Sequence, residues 1–270
     1  MRVAERNLEL AGLDRPLRAR LTAPPDPSRA VVLAHGFKGF MDWGCWPWVA
    51  ARLAEAGVAC LRFNFSHNGI GADPEAFTEL DRFEANTFSR EVAELRAVLE
   101  AARDLPELRG LEVTPLGHSR GGAIALLAPE GAKRVVTWAS LASLEGLHGF
   151  LGEREAWLRR GFVEARNART GQVMRLGRAL LEDYEAHREA LDVEAALRRL
   201  KAAGGSATAI HGDLDPAVPL DHGRRLEAAG ARLVVIPGGD HTFGAAHPFR
   251  GEAPAPLRAA LAATLEALQS

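Results

Sequence analysis

The chain has 270 residues, 47% hydrophobic and 25% charged, with 33 basic against 35 acidic side chains and a formal net charge of −2. That balance is ordinary for a folded globular protein. It excludes a disordered chain and the basic footprint of a nucleic-acid binder.

Val3 to Leu10 and Leu17 to Leu21 read as short edge strands separated by Gly12-Leu13-Asp14. Prolines 24, 25 and 27 mark a loop, because they remove backbone donors. Val31-Val32-Leu33-Ala34 is a continuous apolar run, as expected for a strand buried on both faces of a parallel sheet. A helix is predicted over Trp46 to Ala56, stopped by Gly57, and a strand over Val58 to Phe65. After a polar loop, Glu84 to Arg103 reads as one long helix, with Phe88, Val92, Leu95 and Leu99 spaced along a single face. Leu111 to Leu116 is a strand, Arg120 to Leu127 a helix and Arg134 to Ala139 a strand.

The alternation then stops. Residues 143–202 contain no convincing strand and are rich in Arg, Glu, Ala and Leu, so the expectation is a helical insertion. Alternation resumes with a strand at Ala207 to Ile210, a helix at Asp221 to Ala229, a strand at Arg232 to Ile236 and a closing helix at Pro256 to Leu268. Repeated strand–helix units predict an α/β protein: a mostly parallel twisted sheet of about eight strands with helices on both faces. The whole of 1–270 is expected to form one domain, interrupted at 143–202.

Cys45 and Cys60 are too few for a disulfide framework or a four-thiolate metal site. The start of the chain has no signal-peptide apolar core, and no apolar run approaches the roughly 18 residues that span a bilayer. A cytoplasmic location is therefore expected, with no membrane or nucleic-acid partner. None of the nine histidines has metal-ligand spacing, and no phosphate-binding glycine motif opens the fold. No metal and no cofactor are predicted.

The most informative segment is Gly117-His118-Ser119-Arg120-Gly121, a G-x-S-x-G turn between a predicted strand and a predicted helix. A serine held there sits on a tight turn whose flanking glycines leave room for close backbone, above a helix start that favours negative charge. Serine needs a base to act as a nucleophile. The partners should follow in the order acid, then histidine, on loops after later strands. Asp213 and Asp215 both follow the strand ending at Ile210, and His241 lies on the glycine-rich loop after Ile236.

With these residues in place the chain resembles the α/β-hydrolase fold superfamily of serine hydrolases, in its esterase-like, dienelactone-hydrolase and lipase branch. The family's acid motif H-G-x-x-D-x-x-V-P is matched by His211, Gly212, Asp215, Val218 and Pro219, and its histidine loop by Gly238 and His241. The loop Phe63 to Gly69 departs from the Asp, Arg, Gly and His common in related esterases. The resemblance implies Ser119 as nucleophile, His241 as base and Asp215 as acid, leaving Asp213 and Asp240 as turn residues. It further implies an oxyanion hole from the backbone N–H groups of Phe37 and Arg120, and a lid formed by 143–202. The implied activity is cleavage of an acyl ester of a small molecule through an acyl-enzyme. A peptidase, a thioesterase, a lactone or C–C hydrolase, and an inactive ligand-binding protein of the same fold stand beside it, and a homodimer is left open. Phe37, Phe40, Met41, Trp43, Trp46 and Trp48 are candidates for the pocket wall or for the core. Arg120 is read either as a contact for an acidic substrate or as part of a solvated helix face.

Overall fold

A computed structural model describes residues 3–129, 131–145 and 150–269, with residues 150–153 described by their backbone alone. Its strands are β1 (Ala4–Leu10), β2 (Leu17–Ala23), β3 (Arg29–Ala34), β4 (Val58–Phe63), β5 (Val113–His118), β6 (Arg134–Trp138), β7 (Phe162–Arg166), β8 (Val173–Gly177), β9 (Ser206–Gly212) and β10 (Arg232–Ile236). Its helices are α1 (Trp46–Glu55), α2 (Leu80–Glu84), α3 (Phe88–Asp104), α4 (Arg120–Leu127), α5 (Phe150–Arg160), α6 (Arg178–Ala186), α7 (Val193–Ala202), α8 (Asp221–Ala228) and α9 (Ala255–Gln269).

Eight strands form one sheet in the order β1-β2-β4-β3-β5-β6-β9-β10. The β1–β2 and β2–β4 pairs are antiparallel and the rest are parallel. The predicted mostly parallel α/β architecture is thus the observed one. Every residue of β4 and β5 is buried, as expected of strands covered on both faces, and the one charged side chain among them, Arg62, pairs with Asp42 at 2.7 Å and Glu5 at 3.2 Å. The outer strand β1 exposes Glu5, Arg6, Asn7 and Glu9, charged and polar groups that keep a sheet edge from pairing with another chain. Apolar side chains of α1 and α9 cover one face of the sheet, and those of α3, α4 and α7 cover the other.

The helix predicted over Glu84 to Arg103 starts later, at Phe88, and the stretch before it holds a short helix, α2, that was not predicted. Thr87 adopts extended backbone and its hydroxyl accepts the Arg90 N–H at 3.2 Å, so α3 starts afresh at Phe88. A β-branched residue with a capping oxygen is better used at a helix start than inside one.

The predicted absence of strands in 143–202 is also corrected; residues 146–149 lie outside the described residues. β7 and β8 pair as an antiparallel hairpin, Phe162 opposite Gly177 through Arg166 opposite Val173. Its turn is closed by Asn167, whose side chain accepts the Arg169 N–H at 3.0 Å, and by Gly171 at φ +73°. Met174 and Leu176 are buried while Val173 and Arg175 are exposed, a period of two that five residues barely display. At the end of the segment α7 buries Val193, Ala196, Leu197 and Leu200 on the α3–α4 side of the sheet and serves as the crossover into β9.

Candidate active site

The parallel strands point their carboxyl ends to one rim, and β5 ends there at His118. Ser119 follows with φ 55° and ψ −124°, a left-handed conformation that costs a side-chain-bearing residue about 1–3 kcal/mol. The surroundings hold it there. The Ser119 N–H donates to the Trp138 carbonyl at 2.8 Å. A Cβ at Gly117 would lie 2.1 Å from the Gly121 carbonyl oxygen, and one at Gly121 would lie 2.4 Å from that of Ala34. Both glycines are therefore required by close backbone. Ser119 is also the N-cap of α4, at the positive end of that helix.

His241 joins Ser119 to Asp215. Its Nε2 lies 3.0 Å from Ser119 Oγ, and its Nδ1 lies 2.8 Å from Asp215 Oδ2. The Asp215 side chain is fully buried, and its Oδ1 accepts the N–H groups of Ala217 and Val218 at 2.9 and 2.8 Å. Burial pushes the Asp215 carboxyl upward, but hydrogen bonds and charge from His241, with the two backbone donors, outweigh it and hold the group below the usual carboxylate value. An ionised acceptor on Nδ1 keeps the proton there and leaves Nε2 facing the serine hydroxyl as acceptor.

Asp213 does not join this chain; its Oδ1 accepts the Gly238 N–H at 2.7 Å. Asp240 closes its own loop by accepting from Thr242 and Gly244. The Cβ that Gly36 lacks would lie 3.0 Å from Ser119 Cβ, so the loop after β3 passes directly beside the serine. Phe37, next in that loop, packs its ring 5.6 Å from that of Phe83.

Arg120 matches neither of its sequence readings. It is buried, its guanidinium meets Glu91 at 2.5 Å, and it lies 4.8 Å from the centre of the Phe37 ring. Its charge is spent on Glu91 rather than on a bound molecule or on solvent.

His118 carries a role that sequence reasoning missed. Its Nε2–H donates to the His241 carbonyl at 2.8 Å, and the two rings lie 4.8 Å apart. Burial first, then the neighbouring His241, lowers its pKa to about 3, so it is a neutral donor that fixes the histidine loop. The one available signal was a histidine immediately before the serine. His35 is likewise neutral, lowered to about 4 chiefly by burial; it donates to the Gly36 carbonyl and accepts from Phe65.

A cavity of about 750 Å³ opens over Ser119 and His241. The aromatic candidates divide. Phe37, Trp43 and Trp46 line the cavity, Phe40 and Met41 are core, and Trp48 packs on Phe249 at 6.0 Å. The turn between β7 and β8 supplies Asn167, Ala168 and Arg169 to the cavity wall.

Among the described residues one group has ligand atoms close enough for a metal ion: Asp14, His67 and Glu94, within 4.8 Å of one another. Those atoms are already engaged. Glu94 accepts from Ser66 N–H and hydroxyl, and Arg90 pairs with both Glu94 and Asp14.

The sequence model of the alpha/beta hydrolase family matches residues 31–260. The chain belongs to this family. No curated protein matches it significantly. Among solved structures it is similar to a protein from Agrobacterium vitis S4 (TM-score 0.71, 20% identity, 98% of each chain covered). It is also similar to Est1E from Butyrivibrio proteoclasticus (TM-score 0.67, 19% identity, 98% of this chain and 99% of the other). A third is a dienelactone hydrolase from Anabaena variabilis (TM-score 0.63, 20% identity, 99% and 97%). At such identities the likeness establishes the fold. No helix among the described residues is long and apolar enough to cross a membrane.

Proposed function

We propose that this alpha/beta hydrolase is a serine hydrolase that cleaves a carboxylic ester through an acyl-enzyme. The observation that carries the reading is the continuous hydrogen-bond chain Ser119–His241–Asp215 at the floor of an open cavity. Ser119 Oγ attacks the acyl carbonyl while His241 Nε2 takes its proton. His241 then returns that proton to the leaving alcohol. Water, deprotonated by the same nitrogen, releases the acid and restores the serine. Asp215 holds the imidazole in the required tautomer and stabilises the imidazolium.

The tetrahedral oxyanion is assigned to the backbone N–H groups of Phe37 and Arg120. Removing one such donor costs about 3–4 kcal/mol of barrier stabilisation. The segment that carries the β7–β8 hairpin acts as a cover over the cavity and shapes substrate choice. The apolar wall, with Trp43, Trp46, Leu141 and Val218, suits a small to medium acyl or aromatic group.

The test is labelling by a fluorophosphonate together with hydrolysis of p-nitrophenyl esters of increasing acyl length. Both should occur in the native protein and vanish in Ser119→Ala. A folded protein that does neither would instead be a binding protein of the same fold.

A further inference from the structure

The cavity wall holds positive charge that the proposed reaction does not use. Lys38 follows Phe37 in the loop beside Ser119. Its ammonium donates to the Arg166 carbonyl at 2.8 Å, which occupies one of three N–H groups. No ion pair among the described residues engages it; the side chain is half-buried, its ammonium lies 5.1 Å from the centre of the Phe37 ring, and burial lowers its pKa. Arg169, at the hairpin turn, donates to the Glu75 carbonyl at 3.3 Å and likewise forms no ion pair among the described residues. Asn167 is buried, and its side-chain oxygen is taken by the Arg169 N–H, so the carboxamide offers its NH₂.

The counter-charges nearby do not satisfy these groups. No Asp or Glu side chain lines the cavity among the described residues. Asp215 is committed to His241, Ala217 and Val218, and Glu91 to Arg120 and Asn86. The Glu75 carboxylate is exposed and its closest ionisable partner is His247 at 4.0 Å. A partly desolvated ammonium without a carboxylate is unfavourable, and an anionic ligand removes that cost.

We propose that Lys38, Asn167 and Arg169 form an anion subsite that takes a carboxylate borne by the substrate. The substrate class is then an ester with a modest apolar body and a free carboxylate a short distance from the scissile bond. Because Lys38 is adjacent to Phe37 and bonded to the end of β7, occupation of the subsite ties the hairpin to the loop beside the nucleophile. The ester part of this inference rests on the proposed role of Ser119; the carboxylate part does not.

The test uses two matched pairs: the p-nitrophenyl monoester of adipic acid against its methyl ester, and 4-carboxyphenyl butyrate against phenyl butyrate. The first pair places the carboxylate on the acyl side, the second on the leaving group. In at least one pair the charged member should have the higher kcat/KM by about tenfold or more, as charge-assisted contacts provide. That ratio should fall towards one in Lys38→Met and in Arg169→Gln. Calorimetry of the same four esters with Ser119→Ala separates the two claims. Tighter binding of a charged member without any turnover or fluorophosphonate labelling of the native protein keeps the subsite and removes the hydrolase reading. Turnover with equal affinity and equal rates in both pairs overturns the subsite and leaves the hydrolase.

Discussion

Arg120 and Glu91 meet at 2.5 Å, both sealed from solvent, one residue beyond the turn that carries Ser119. The pair is asymmetric. Burial raises the Glu91 pKa against the pull of Arg120, so a Glu91 left without its partner can take up a proton and become neutral. Arginine has no such escape. Glu91→Gln therefore strands a buried cation and should cost about 3–5 kcal/mol in urea unfolding, as removal of one partner of a buried ion pair does. Arg120→Met, which also refills the space against Phe37, should cost clearly less. The opposite order would mean that packing rather than charge fixes this pair.

The two candidate acids can be separated by isosteric changes. Asp215→Asn removes the charge beside His241 and favours the wrong tautomer, so hydrolysis of p-nitrophenyl butyrate should fall by about 10⁴-fold in kcat. Asp213→Asn keeps the oxygen that accepts from Gly238, so its kcat should stay within a few-fold of native. A large loss at Asp213 with little at Asp215 would transfer the acid role.

Much of this arrangement was legible because it is local. The β3 run, the glycines around Ser119 and the loops after β9 and β10 each declare themselves within a few residues. The unread parts depend on distant contacts. Arg120 lies on a helix whose sequence says nothing of Glu91, 29 positions earlier. His118 bonds to a carbonyl 123 positions away. The β7 strand, Phe162-Val163-Glu164-Ala165-Arg166, has exposed or half-buried positions throughout, so its strand character comes from pairing with β8 rather than from apolar alternation. The start of α3 at Phe88, four residues beyond the predicted start at Glu84, turned on one capping hydroxyl, that of Thr87.

His35 and His118 make the protein acid-sensitive. Both are neutral in the fold, with pKa values lowered to about 4 and about 3 from 6.5, mainly by burial. The unfolded chain binds protons at these sites below pH 6.5 and the folded chain refuses them. Their contribution is therefore fully present above that pH and is lost as pH falls through the folded values. Each should steepen the decline by about 1.4 kcal/mol per pH unit. Thermal midpoints measured from pH 7 to 4 should drop, and His35→Asn should show a shallower slope. An unchanged slope in that variant would mean that His35 accepts its proton in the folded state.

The backbone at Ser119 gives a stability test that does not depend on catalysis. Ser119→Ala and Ser119→Gly both remove the hydroxyl and its hydrogen bond to His241, so they differ only in the Cβ. At an ordinary position glycine is the less stable of the two by about 0.5–1 kcal/mol, through the entropy of the unfolded chain. At φ 55° and ψ −124° the alanine Cβ retains the strain that glycine escapes, worth about 1–3 kcal/mol. The strain exceeds the entropy, so the order should reverse and Ser119→Gly should unfold at the higher urea concentration. Alanine as the more stable variant would show that the turn is relaxed, and the glycines at 117 and 121 would then serve close packing alone.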